Sequence, residues 1–217
     1  MTAVSSCSAN SWTCALCSSI AQPRDPWDQP VFESENFIAI PSLGSLVEGW
    51  LLVVPRQHFI STGALTPDLH EEFATFKQDV AARLSMVYGD ICAFEHGPCA
   101  PRRQVGCGVD HAHVHLVPLG FDLGNAATAF VPGVAWQPAS WSECNRAVAQ
   151  ELDYLFVEQP LGSGRIAVAN QFGSQVLRRA IASSLGRPEE FNWRTHRQEL
   201  NIEKTIDRFS STAVVGV

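Results

Sequence analysis

The chain has no surplus of positive charge. Its 217 residues carry 15 lysines and arginines against 22 aspartates and glutamates, a formal charge of −7. It therefore has no sequence-independent attraction for a polyanion, and a nucleic acid duplex is not an expected partner. A small anionic substrate would have to be held by a few local basic groups. Also missing are any apolar run approaching the roughly 18 residues of a membrane span and any basic n-region followed by an apolar stretch. No membrane partner is expected, and the chain reads as cytoplasmic. There is no internal repeat and no low-complexity tract. Seven cysteines are an odd number without a secretory signal, which argues against a disulfide framework and for metal ligation by a subset.

What is present is a polar–apolar alternation at Asp110-His111-Ala112-His113-Val114-His115-Leu116. Strand periodicity puts three imidazoles on one face and Ala112, Val114 and Leu116 on the other, with consecutive histidines about 6.6–7 Å apart. Each imidazole brings two polar nitrogens that need partners, so the run is a poor core and a good site for metal or acid–base work. Upstream, Cys14-Ala-Leu-Cys17 is open to three readings: half a zinc site, a redox pair or chance. Zinc would need two further ligands, which later histidines can supply.

A hydrophobic content of 46% supports a real core. Residues 1–13 are small and polar and read as a flexible N-terminal arm. Short strands are expected at Val31–Glu33 and Asn36–Ile40, and a central strand at Trp50–Val54 ended by Pro55, with His58 just beyond it. The clearest helix opens at Thr66-Pro67, shows an apolar face at Leu69, Phe73, Phe76, Val80, Leu84 and Val87, and closes at Gly89. A strand at Ile91–Glu95 follows. The loop from Cys99 to Val109 carries Arg102, Arg103, Gly106 and Gly108. It suits either phosphate binding through guanidinium and backbone N–H groups or a solvated glycine-rich turn. Residues 121–138 read as loop and Trp141–Leu152 as a helix. Tyr154–Glu158 and Arg165–Ala169 form a hairpin, and Gln175–Leu185 and Gln198–Phe209 are helices.

His111-x-His113-x-His115 resembles the signature of the histidine-triad (HIT) superfamily, and the Pro-Arg-Gln-His segment ending at His58 is similar to a second element of it. The resemblance runs from about Cys14 to Leu119. It implies an α+β fold, a HIT-like antiparallel sheet with a packed helix over 14–120, to which 121–217 add a C-terminal α/β extension of the same globule. Zinc-bearing members use a CxxC pair and two histidines, which here match Cys14, Cys17, His58 and His111. Two thiolates and two imidazoles make a closed tetrahedral site, structural rather than catalytic.

The resemblance further implies that His113 attacks an α-phosphorus to form a nucleotidyl-imidazole, assisted by His115, and a histidine at the third triad position favours water as acceptor. The implied activity is a nucleotidyl hydrolase or transferase acting on a nucleoside phosphate or phosphoramidate derivative. His96, Arg102, Arg103, Gly108 and Gln175 are the expected nucleotide and phosphate contacts, and a homodimer is common among relatives. Alternatives are a zinc-stabilised nucleotide-binding protein with little turnover and a transferase of the dinucleoside polyphosphate phosphorylase type. Ser42 stands where the hydrolase branches carry a ribose-binding acid, and Glu95-His96-Gly97 replaces an Asn-containing segment. The region beyond Phe121, with Gln175, Arg178, Arg179 and Asn192-Trp193-Arg194, resembles extended bacterial HIT-like proteins.

Overall fold

The computed structural model describes residues 14–210, apart from residues 107, 160, 170 and 171. The expected N-terminal arm, with Cys7, and Cys107 lie outside the described residues. Eight strands form one antiparallel sheet: β1 (Phe32–Glu33), β2 (Phe37–Pro41), β3 (Leu51–Pro55), β4 (Ile91–Gly97), β5 (Val114–Pro118), β6 (Gln137–Pro138), β7 (Tyr154–Glu158) and β8 (Gly164–Val168). Their order across the sheet is β1-β2-β3-β5-β4-β7-β8-β6. The two edges are two-residue strands, which leaves little backbone open to edge pairing. The α+β class holds. The residues after 120 add β7, β8 and β6 to the same sheet, with β7 pairing β4 from Ala93↔Glu158 to Gly97↔Tyr154.

Strand alternation sorts the side chains onto two faces. One face carries Phe37, Ala39, Leu51, Val53, Ala93, Val114 and Leu116 and is covered by α2 (His70–Tyr88) through Phe73, Phe76, Val80 and Leu84. The predicted helix thus exists with its predicted apolar face, except that Val87, in its last turn, is exposed. Its start differs: Pro67–Leu69 forms a 3-10 turn, and Thr66 makes no side-chain cap hydrogen bond. Gly89 ends α2 at φ +83°, a backbone conformation that favours glycine.

The opposite face carries Phe94, Leu155 and Val157, covered by α3 (Leu123–Phe130) and α5 (Val176–Ser184). Further along that face, Ile38, Ile40 and Val54 meet Leu16 and Ile20 of α1 (Ala15–Ala21). The expected loop over 121–138 is corrected here, since α3 lies within it. The Asp122 side chain accepts from Asn125 N–H at 2.7 Å, a helix N-cap. Leu123 and Ala127 are then buried in the core they share with α5, burial that favours the helix despite Gly124 and Thr128. The remaining helices are α4 (Ser142–Ala149) and α6 (Glu199–Ser210). Among the described residues, no helix is long and apolar enough to cross a membrane.

Candidate metal centre and active-site cleft

Only the last of the three histidines lies within a regular strand. β5 starts at Val114, and the lead-in is held extended by an Ala112 N–H bond to the Phe59 carbonyl at 2.6 Å. The histidines accordingly divide between two places. His111 turns toward Cys14, Cys17 and His58, whereas His113 and His115 line a cleft.

In the first place, four potential ligand atoms lie within 4.8 Å of one another. Cys17 Sγ is 3.3 Å from His58 Nδ1 and 3.4 Å from His111 Nδ1, and Cys14 Sγ is 3.5 Å from His111 Nδ1. A tetrahedral ion with Zn–S near 2.3 Å and Zn–N near 2.05 Å would put S and N about 3.6 Å apart, so the donor set fits zinc. The chemistry fits as well. His111 Nε2–H donates to the Pro55 carbonyl at 2.9 Å, leaving Nδ1 bare toward the thiols. Burial, opposed by that hydrogen bond, lowers the His111 pKa to about 4, so the ring is neutral as a ligand must be. Cys14 is the residue before α1, and its Sγ accepts from Cys17 N–H at 3.5 Å, which brings both sulfurs to the same side.

The cleft measures about 650 Å³ including its open mouth. Among the residues that line it are His113, His115, Arg178 and Ser42. His113 Nδ1–H donates to the His111 carbonyl at 2.7 Å, so the lone pair is on Nε2. His115 has the opposite tautomer: Trp50 Nε1–H donates to its Nδ1 at 3.0 Å, so the proton sits on Nε2. Strand register places Phe94 beside His115, and the rings stack at 4.3 Å and 12°. His113 and His115 lie 5.1 Å apart by ring centroids. Burial lowers both pKa values, assisted by the Arg178 charge, so both rings are neutral near pH 7. The site thus holds a ring nitrogen with a bare lone pair beside a ring N–H donor.

Arg178 is buried and rigidly placed. Its guanidinium lies over the Trp50 ring at 4.5 Å and donates to the carbonyls of Gly44 and Phe191 and to Ser42 Oγ. The expected phosphate contacts lie elsewhere. Arg102 and Arg103 line a second cleft with Asp153 and Phe172, sharing no residue with the histidine cleft. Arg103 donates to Cys99 Sγ and sits 3.7 Å from Asp153. The loop carries these arginines outward because Asp110 holds the Arg102 backbone N–H, where φ is +62°.

His96 is buried, and its Nε2 accepts from Leu177 N–H at 3.1 Å, which ties β4 to the start of α5. Burial takes its pKa down to about 3. Gly108 gives its carbonyl to Arg194. Gln175 is buried at φ +60° just before α5, and its Oε1 has no hydrogen-bond partner among the described residues. His96, Gly108 and Gln175 do not line the histidine cleft. The lining residues beyond the triad are Trp27, Asp28, Ile40, Leu43, Leu52 and Trp193 among others. Their shared feature is tertiary proximity, with no common spacing that a sequence pattern would reveal.

A family model described as "Protein similar to CwfJ C-terminal" matches residues 6–130. Among solved structures, the chain is similar to a hypothetical histidine triad nucleotide-binding protein from Sulfolobus tokodaii. That match has 25% identity and a TM-score of 0.41, over 50% of this chain and 71% of that one. A HIT family protein from Bacillus anthracis matches at 23% identity and TM-score 0.40, over 49% and 72%. A HIT family hydrolase from Clostridium thermocellum matches at 18% and 0.39, over 51% and 93%. No curated protein matches the chain significantly.

Proposed function

The chain belongs to the family of proteins similar to the CwfJ C-terminal region, a histidine-triad-like family, and from that premise we propose that it is a nucleotidyl hydrolase or transferase working through His113. The observation that carries this reading is the pair of opposed tautomers: a bare Nε2 on His113 beside an Nε2–H on His115, both lining one cleft. His113 Nε2 attacks the α-phosphorus of a nucleoside phosphate or phosphoramidate derivative. The N–P bond forms as the bond to the leaving group breaks, and the leaving group takes that electron pair. His115 Nε2–H donates to a non-bridging oxygen as charge builds there, and the fixed charge of Arg178, close enough to lower both histidine pKa values, lines the same cleft. Water then attacks phosphorus, releases the nucleoside monophosphate and returns the imidazole.

In this proposal the phosphate belongs to His115 and Arg178 rather than to Arg102 and Arg103. The acceptor Oε1 of Gln175 does not suit a phosphate oxygen. Cys14, Cys17, His58 and His111 would hold zinc, whose contribution is to tie α1 and the segment after β3 to the start of β5. A homodimer, on the resemblance, and a cytoplasmic location, on the sequence, belong to the same reading.

The test is an acid-sensitive, base-stable phosphoramidate on His113. Protein quenched in alkali during turnover of a panel of nucleoside phosphoramidates, dinucleoside polyphosphates and nucleotide sugars should carry one nucleotide there by peptide mass. Turnover of any of these with no adduct, and undiminished by His113→Ala, would refute the covalent route. Binding without turnover across the panel would leave a nucleotide-binding protein.

A further inference from the structure

Around its two histidines the cleft is lined by apolar and aromatic side chains. Ile40, Leu43 and Leu52 are among them, Leu52 directly across the strand pair from His115, and so are two of the six tryptophans in the chain. Trp27 comes from the 3-10 turn Pro26–Asp28, and Trp193 from the segment between α5 and α6. Neither belongs to the sheet, and Trp193 lies beyond the residues 6–130 that match the family. Each indole is backed by an arginine. The Arg194 guanidinium lies 4.3 Å from the Trp193 ring centroid, and that of Arg197 lies 5.6 Å from Trp27. A cation held against one indole is attracted by its ring electrons and orients it.

The Trp193 segment is fastened to the cleft rim rather than draped over it. Arg194 donates to the Gly108 carbonyl at 3.0 Å, and Gly44 N–H donates to the Arg197 carbonyl at 2.8 Å. Gly44 has φ +72°, and a Cβ there would meet Trp193 Cα at 2.7 Å. Only glycine allows this approach, so the wall is built before any ligand arrives.

We propose that Trp27 and Trp193 form a stacking subsite for a flat heteroaromatic ring, so that the base of the bound nucleotide is selected by its π-face. This rests on the nucleotide reading above and narrows it. Every base offers a π-face, so such a site accepts all four common bases and prefers the larger purine rings. Selection for the base over a bare sugar phosphate then comes from residues outside the triad.

The experiment is calorimetric titration of the full chain with AMP, GMP, CMP, UMP and ribose 5-phosphate, using the parent, Trp193→Ala, Trp193→Phe and Trp27→Ala. The parent should bind the four mononucleotides within ~10-fold of one another, and ribose 5-phosphate at least ~10-fold more weakly than AMP. Each alanine substitution should weaken AMP and GMP by at least ~10-fold and leave ribose 5-phosphate within ~2-fold. Trp193→Phe should keep most of the affinity. If the parent binds mononucleotides but both alanine variants match it, the stacking subsite is wrong and the nucleotide reading stands. Equal losses for AMP and ribose 5-phosphate would also overturn it, because the indoles would then only support the wall. If the parent binds no mononucleotide, both readings fall. Trp27 and Trp193 lie on separate elements, so one unfolded variant still leaves the other as a test.

Discussion

The stretch from Cys14 to Pro118 and the stretch from Asp122 to Ser210 meet at one cleft and bring different things to it. The first supplies the thiols, the imidazoles of His58 and His111 that face them, and the pair His113–His115, all from short motifs. The second supplies Arg178 and Trp193, and through α3 and α5 it buries the sheet face on which His115 stacks. Reactive groups must sit within a few ångströms of one another, and a strand or a CxxC turn provides that spacing cheaply in sequence. Walls and charges act over longer distances and can come from any part of the chain that folds back. The first stretch should therefore govern turnover and folding, and the second should govern affinity and selection.

The largest expected effect tests the first half of that contrast. His113→Ala should lower turnover by at least ~10³, as nucleophile removal does, while metal analysis should still find one equivalent per chain. A variant within ~10-fold of the parent would move the nucleophile elsewhere. Within the same stretch, Cys17→Ser should act on stability. Loss of the metal should lower the thermal midpoint by at least ~5 °C, given roughly 2–4 °C per kcal/mol for a chain of this size. An unchanged midpoint with an unchanged metal content would break the assignment of Cys17 as a ligand.

A third prediction concerns a contact between the stretches. Glu95 accepts from Thr62 N–H at 2.7 Å, from Thr62 Oγ1 and from Tyr154 Oη at 2.5 Å, on the sheet face away from the cleft. Burial pushes its pKa from 4.5 up to about 7, against the pull of these hydrogen bonds. Below pH 4.5 both folded and unfolded forms hold the proton, so the shift has no effect. As pH rises from 4.5 to about 7 the unfolded chain releases it first, and stability falls by about 3 kcal/mol before levelling off. Urea midpoints at pH 5 and pH 8 should show this fall in the parent and lose most of it in Glu95→Gln. The same fall in both proteins would assign it to another group.

The smallest effect tests the second stretch. Arg178→Met should raise KM for a turned-over nucleotide, and the dissociation constant for inorganic phosphate, by ~10- to 100-fold, as loss of a charged hydrogen-bonding partner does. Its kcat should fall less than that of His113→Ala. Arg178→Lys should recover only part, since an ammonium cannot repeat the guanidinium's several fixed contacts. A kcat loss matching that of His113→Ala would erase the proposed division between the stretches.

What was legible in the sequence follows the same boundary. The α2 helix was visible because Phe73, Phe76, Val80 and Leu84 repeat at helical spacing, and the candidate metal cluster through the resemblance, which matched Cys14, Cys17, His58 and His111 to the ligands of zinc-bearing relatives. The α3 helix was not, because its composition reads as loop and its stability depends on burying Leu123 and Ala127. Arg102 and Arg103 looked like phosphate ligands because they stand next to the triad in sequence. Adjacency in sequence does not set direction, and the Asp110–Arg102 bond turns that loop toward another cleft.

By itself, the sequence determined the α+β class, the sites of most strands and helices, and which thiols and imidazoles are candidates to ligate or attack. These depend on local periodicity and on side-chain chemistry, which a linear pattern carries. Tertiary structure decided that three alternating histidines serve two places, because the chain becomes a regular strand only at Val114 and His111 is drawn to Cys14, Cys17 and His58. It also decided the tautomers of His113 and His115, through one carbonyl and one indole N–H. And it brought Arg178 and Trp193 to the cleft from 65 and 80 positions beyond His113, a juxtaposition that follows from the packing of α5 and the segment after it on the sheet, for which no spacing rule exists.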